Sequence, residues 1–188
     1  MSKRAEKTTL IIQHTISILR EEGAGGLTMR KVAKQAGLRL SNVQYYYKDK
    51  EALLEATIAY YFQQNEEEVT NGIAALPADS AFIPLLRYIL NQSLIHGNSS
   101  ERCAMFREIW ALATKMPSID ALVKHYYQQY NQWLVQQFAP YSNHTEVLVS
   151  LLMPYIEGYS LMGYALPVDK EMVIEGLIKM VLPYCDEV

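Results

Sequence analysis

The amino-acid sequence predicts an all-α protein of about nine helices: an N-terminal helix-turn-helix three-helix domain followed by a C-terminal helical domain. Three observations carry that expectation. Apolar residues recur every three or four positions through nearly the whole chain, prolines and glycines fall mostly between those periodic segments, and no alternating apolar/polar run marks a strand. Half the residues are apolar, enough for a sizeable core, and a charged share of 20% does not suggest disorder.

Helix 1 is expected from about Ala5 to Glu22, with Ile11, Ile12, Ile16 and Leu19 turned inward. It ends at Gly23, because the run Gly23-Ala24-Gly25-Gly26 cannot stay helical cheaply. Thr28 supplies an N-cap for a short helix from Met29 to about Ala36, which Gly37 breaks. A second short helix covers Ser41–Tyr47, and Asp49 caps a longer helix 4 with Leu53, Leu54, Ile58 and Tyr61 on one face. Pro77 marks a linker, so residues 1–50 form the first domain, helix 4 (about 49–76) connects, and residues 77–188 form the second.

Five longer helices follow. One lies near 80–96 with Leu86, Ile89, Leu90 and Leu94, and the next near 100–115, after the cap candidates Asn98, Ser99 and Ser100. The third opens on Pro117, a favoured first-turn residue, and runs to Phe138 with the stripe Ile119, Leu122, Val123, Tyr126, Tyr130, Trp133, Leu134 and Phe138. Helix 8 spans about Asn143–Ala165, Asn143 and Glu146 being spaced as a capping box, and helix 9 spans Asp169–Leu182 and stops at Pro183. Inside helix 8, Pro154 removes one hydrogen bond and predicts a bend, read either as a packing kink or, with Gly158, as a hinge beside a pocket.

Charge is unevenly placed. Residues 1–50 hold ten Lys/Arg against four acids, a balance of +6, while the whole chain is −3 and the remainder therefore −9. A basic head on an acidic body suggests an anionic partner for the head, although charge alone fits a solvated surface equally well. Spacing decides between them. Ala33 is small where the two short helices must approach, Gly37 can adopt the left-handed turn, and Val43, with Val32 and Leu38, completes a miniature core that holds the second short helix stiff. Its outer face offers Arg39, Ser41, Asn42, Gln44 and Tyr45 toward base edges. Tyr46, Lys48 and Lys50, with Thr28 and Arg30, can grip phosphates, and Lys50 also lies in a helix first turn.

The runs Leu27-Thr28-Met29-Arg30-Lys31-Val32-Ala33-Lys34-Gln35-Ala36-Gly37-Leu38 and Val43-Gln44-Tyr45-Tyr46-Tyr47-Lys48-Asp49-Lys50-Glu51-Ala52-Leu53-Leu54 resemble the N-terminal DNA-binding domain of the TetR family over about residues 8–58. The resemblance implies backbone contacts by Thr28, Tyr45, Tyr46 and Lys50, and variable base readout around Leu40, Ser41, Asn42 and Gln44. It also implies a homodimer formed through helices 8 and 9, both apolar on more than one face. The sequence departs from the family pattern at Arg39, where a capping Ser or Thr is common, so helix 3 can start as late as Ser41. Ala24 stands where an aromatic is common, an expectation of a looser helix 1–2 loop.

The second domain is rich in aromatics, and the resemblance implies a small-molecule cavity there. Phe106, Trp110, Tyr126, Tyr130, Trp133, Tyr155 and Tyr159 are the candidates, against the plainer reading of a helical core stripe. If Glu108 or Glu157 faces such a cavity, it favours a cation over aromatic faces. The histidines His14, His96, His125 and His144 lack ligand spacing, no glycine-rich phosphate loop is present, and no nucleophile grouping is local, so no metal, cofactor or enzyme activity is expected. Cys103 and Cys185 read as small apolar residues rather than a disulfide. No apolar stretch can span a bilayer and no signal-peptide core is visible, which predicts a cytoplasmic protein. The expected function is a ligand-responsive transcriptional repressor that binds a palindromic operator in double-stranded DNA as a homodimer and is released by a small-molecule effector. The alternatives are an activator of the same fold, or an all-α binding protein or enzyme with a vestigial helix-turn-helix.

Overall fold

The computed structural model describes residues 3–77, 81–95 and 101–185. Among them are nine α-helices and two short 3₁₀ turns: α1 (Lys3–Gly26), α2 (Met29–Gln35), α3 (Leu40–Tyr46), α4 (Lys50–Ala74), α5 (Phe82–Ser93), α6 (Glu101–Ala113), α7 (Pro117–Phe138), α8 (Thr145–Met162) and α9 (Lys170–Val181). The 3₁₀ turns, Gly163–Ala165 and Leu182–Tyr184, extend the last two helices. The expected caps Asn98, Ser99 and Ser100, and His96, lie outside the described residues.

The chain divides into two compact units, Met1–Gln64 with Ala104–Lys124, and Asn65–Cys103 with His125–Val188. In the first, α2 packs on both α1 and α3. Ile11, Ile18, Leu19, Leu27, Val32, Ala33, Val43, Leu53, Leu54 and Ile58 are all buried. Each fully buried Val, Leu or Ile is worth about 1.5–3 kcal/mol over its exposed state. Val43, wholly buried, therefore anchors α3 by its inner face and leaves the outer face available.

Gly23 interrupts α1 as the sequence leads one to expect, with φ 67°, but helical hydrogen bonding resumes as far as Gly26. At the other turn, Gly37 also takes a left-handed φ of 65°. There Leu38 N–H donates to Ala33 C=O (2.9 Å) and Gly37 N–H to Lys34 C=O (3.3 Å), the paired bonds of a Schellman cap. This cap sets the angle at which the chain leaves α2 and enters α3.

The second unit buries Phe82, Leu86, Ile89 and Leu90 of α5, Leu134 and Phe138 of α7, Leu148, Leu152 and Ile156 of α8, and Ile174, Leu177 and Ile178 of α9 in one cluster. Phe82 meets Phe138 edge-on at 5.5 Å. Arg87 on α5 pairs with Glu171 and Glu175 on α9. Those two carboxylates hold the guanidinium charge firmly, Glu175 by a hydrogen bond first of all.

Two helix starts differ from expectation. Helix α8 begins at Thr145 with His144 as N-cap and no side-chain cap, in place of the Asn143–Glu146 box. The buried Ser142 governs this end: its Oγ accepts from His144 N–H (2.9 Å) and donates to Tyr184 C=O, tying the start of α8 to the end of the chain. Helix α3 begins at Leu40, one residue before Ser41, and Arg39 at its N-cap makes no side-chain cap because a guanidinium has no acceptor. Asn42 Oδ1 instead accepts from Arg39 N–H at 3.3 Å, half of a capping box reached from inside the helix.

Candidate nucleic-acid interface

The site grows out of α2, the Gly37 turn and α3. Thr28 opens α2 in extended geometry, and its Oγ1 accepts from Lys31 N–H at 3.1 Å. That leaves the exposed hydroxyl hydrogen available to a phosphate. Arg30 and Lys34 are exposed on α2, whereas Lys31 is drawn back into an ion pair with Glu22. Along α3, Arg39, Ser41, Asn42, Gln44 and Tyr45 are exposed and Leu40 is half-buried. Tyr45 is the most open of the exposed large apolar side chains, at 76%. It meets Tyr46 edge-on at 5.1 Å, which fixes the pair of rings at the end of the helix. Tyr47 faces inward enough that burial raises its pKa.

At the entrance to α4, Asp49 Oδ1 accepts from Ala52 N–H at 2.8 Å, making the expected cap. Lys48 is solvated, its ammonium 4.0 Å from Asp49, a contact worth little at such exposure. Lys50 is placed differently from its neighbours. Its side chain is half-buried and its ammonium donates to Ala24 C=O at 2.8 Å. On the other side, Ala24 N–H donates to Glu108 Oε2 of α6 at 3.0 Å. The helix 1–2 loop, expected to be loose, is thus held from two directions. Ser118 of α7 makes a second such link, its hydroxyl donating to Glu51 Oε1 at 2.6 Å. Ala24 and Ser118 were not legible as site residues, and Glu108, read as a candidate cavity acid, instead holds Ala24, because these contacts join positions 84 and 67 apart.

The effector candidates separate into groups. Phe106 packs in the first unit against Tyr61 (5.8 Å) and Phe62 (6.2 Å), and Trp110 of the same helix is 42% exposed. In the second unit, Tyr126 stacks on Tyr130 at 5.8 Å and Tyr130 on Trp133 at 5.6 Å, a column along α7. Burial first, then the charges of Glu157 and Glu66, push the Tyr130 hydroxyl up to about 12, against a hydrogen bond with Ser93 and the charge of Arg102. On α8, Tyr155 stacks on Tyr159 at 6.4 Å. Tyr159 is in the core, while Tyr155 is 37% exposed. A shallow groove of about 360 Å³ runs along α7, lined by His125, Gln128, Gln129, Gln132, Trp133 and Gln136; Trp133 is the effector candidate among them.

Helices α8 and α9 present further apolar surface. Val147, Leu151, Tyr155, Leu161 and Met162 of α8, and Met172 and Met180 of α9, are exposed. Gly158 and Gly176 sit within these stretches with open space where a Cβ would stand. Among the described residues no three His, Cys, Asp or Glu side chains are grouped to hold a metal ion, and no helix is long and apolar enough to cross a membrane. Cys103 and Cys185 are both thiols.

Residues 11–57 match the family described as "Bacterial regulatory proteins, tetR family". A Xanthobacter autotrophicus protein named as an uncharacterized HTH-type transcriptional regulator in the dhlA 5′ region is 38% identical over 184 residues, 96% of this chain and 91% of that one. This chain belongs to the TetR family of transcriptional regulators. The fold agrees: a Rhodococcus transcriptional regulator superposes with a TM-score of 0.78 at 17% identity, covering 96% of this chain and 98% of its own. A Saccharomonospora viridis protein crystallised with choline superposes with the same TM-score at 12% identity, covering 98% and 100%. The family match falls on α1–α3 and the first turns of α4, the N-terminal helix-turn-helix of this TetR-family protein.

Proposed function

We propose that this TetR-family regulator is a homodimeric repressor whose two α3 helices read a palindromic operator and whose affinity for it falls when a small molecule binds elsewhere in the chain. The reading is carried by one observation. Helix α3 has its inner side locked by the wholly buried Val43 and its outer side lined by exposed, hydrogen-bonding side chains.

In this reading Gln44, Ser41 and Asn42 meet base edges, with Arg39 and Leu40 at their flank. Thr28, Arg30, Tyr45, Tyr46, Lys48 and Lys50 hold phosphates and set the register. Asn42 Oδ1 accepts from Arg39 N–H, which orients the amide and leaves both Nδ2 hydrogens for DNA. Gln44 keeps both amide functions and can pair bidentately with adenine, worth about 1–3 kcal/mol of discrimination.

The exposed apolar stripes of α8 and α9 support a second copy of the chain as the covering partner, with Gly158 and Gly176 allowing close helix approach. Two heads related by such a twofold axis place their recognition helices about 34–36 Å apart, one turn of DNA. Residues 1–50 are the DNA-binding domain and α4 the connection. Effector binding and dimerisation belong to residues 77–188, of which 104–124 fold with the head. The effector region centres on the Tyr126–Tyr130–Trp133 column, with Tyr155, Tyr159, Phe106 and Trp110 as further candidates. Choline, the ligand of the similarly folded Saccharomonospora viridis protein, is a reasonable first compound to try. The protein acts in the cytoplasm, where its operator is.

A gel shift against random-sequence duplex over a salt series tests the core of this reading. Binding that weakens steeply with salt is expected, since each neutralised phosphate adds about 0.9 to the slope of log K against log salt. Absence of binding at low salt would contradict it.

A further inference from the structure

We infer that Glu108 is a positioning residue for DNA binding: by fixing the Ala24 peptides it holds the Lys50 ammonium in place at the phosphate-binding end of the head. The inference rests on the reading that Lys50 meets a DNA phosphate.

The geometry consists of three linked contacts within one compact unit. Glu108 Oε2 accepts from Ala24 N–H at 3.0 Å, and Ala24 C=O accepts from Lys50 Nζ at 2.8 Å. Gly23 makes the first contact possible. Its φ of 67° aims the Ala24 N–H away from α1, and a Cβ there would lie 3.1 Å from Glu108 Oε1, tighter than ordinary packing. Ala24 is gripped on both faces, by a carboxylate on its N–H and an ammonium on its C=O. Charge-assisted bonds of this kind are roughly twice as strong as neutral ones. The glycines at 23, 25 and 26 would otherwise let the loop sample many conformations.

An ammonium has three donors, and Ala24 takes one. The Lys50 side chain is therefore held in one place with two donors left for a phosphate. Without Glu108 the loop peptide can rotate, the Ala24 carbonyl loses its aim, and the Lys50 ammonium leaves the phosphate position, so that its contact is lost from the complex. Glu108 never touches DNA in this account and acts through Lys50.

The experiment measures DNA affinity against salt for the full-length protein, on a duplex selected from a random pool by the wild type. The variants are Glu108→Ala, Glu108→Gln, Glu108→Asp, Lys50→Met and the Glu108→Ala/Lys50→Met pair. Lys50→Met should lower the salt slope by about 0.9, the signature of one lost phosphate. Glu108→Ala should lose affinity on the order of tenfold and lower the slope toward that of Lys50→Met, a change that general loosening of the fold does not produce. Glu108→Gln retains an acceptor for Ala24 N–H and should stay near wild type, and the double variant should bind no worse than Lys50→Met alone. Glu108→Asp, whose shorter arm withdraws the acceptor, should follow Glu108→Ala and serves if the alanine variant does not fold. An unchanged slope in both Glu108→Ala and Glu108→Asp, a glutamine variant as weak as alanine, or additive losses in the double variant would overturn the inference. An unchanged slope in Lys50→Met would instead overturn the phosphate reading beneath it.

Discussion

Replacing Gly37 probes the turn between α2 and α3. The residue has φ 65°, and a Cβ built there meets nothing within 4 Å. Substitution therefore costs conformational strain alone, with no clash added. For an ordinary L-residue that strain is about 1–2 kcal/mol, less for asparagine, which tolerates the left-handed region, and more for a β-branched residue. The cost falls on the Schellman cap, where Leu38 N–H meets Ala33 C=O and Gly37 N–H meets Lys34 C=O. Hydrogen exchange reads this directly. In Gly37→Ala, amides of α2 and α3 that are protected by opening of this head should exchange about 5–30-fold faster, the factor that corresponds to that energy. The order should be Gly37→Asn mildest, then Gly37→Ala, then Gly37→Val. Equal exchange in all three variants, or acceleration confined to α8 and α9, would refute the reasoning that Gly37 is present for its backbone angle.

Gln44→Ala should relax sequence preference while leaving the salt slope alone; Arg30→Ala or Lys48→Ala should weaken all duplexes alike and lower the slope, both checked by binding to a panel of single-base variants. Met172→Glu, placing a charge in the exposed apolar stripe of α9, should shift the protein from dimer to monomer in light scattering and weaken operator binding with it. Tyr130 keeps its proton to about pH 12 because it is buried near Glu157 and Glu66, whereas an unfolded tyrosine ionises near 10.0. Its contribution to stability is then complete below pH 10 and lost as pH rises toward 12, and Tyr130→Phe should flatten that window in alkaline melts.

The head was legible because its determinants are local. Thr28, Ala33, Gly37 and Val43 lie within sixteen consecutive residues, and each does in space what its type and spacing suggest. Pro117 likewise marks the first residue of α7, and Asp49 makes the cap expected of it. What escaped reading was non-local or competitive. Asn143 looked like a cap, yet α8 starts one residue later at Thr145, where the buried Ser142 bonds both His144 N–H and Tyr184 C=O from a distant part of the chain. Lys50 has the composition of a phosphate ligand, and only a carbonyl 26 positions away reveals that it is also tethered. Aromatic periodicity placed Tyr126, Tyr130 and Trp133 on one face, yet the same rule cannot say that Phe106 folds with Tyr61 and Phe62 instead. Periodicity reports which side of a helix is apolar and carries no record of what lies opposite.

The central claim is that the outer face of α3 chooses the DNA sequence on behalf of a two-headed protein. Parallel selections from a random duplex pool, with the wild type and with Gln44→Ala, test it most directly. The account predicts that the wild type enriches a palindrome with half-sites about one helical turn apart, and that the variant enriches a palindrome degenerate at one position in each half. Enrichment of an identical, undiminished motif by both proteins, or of no motif by either, would contradict it.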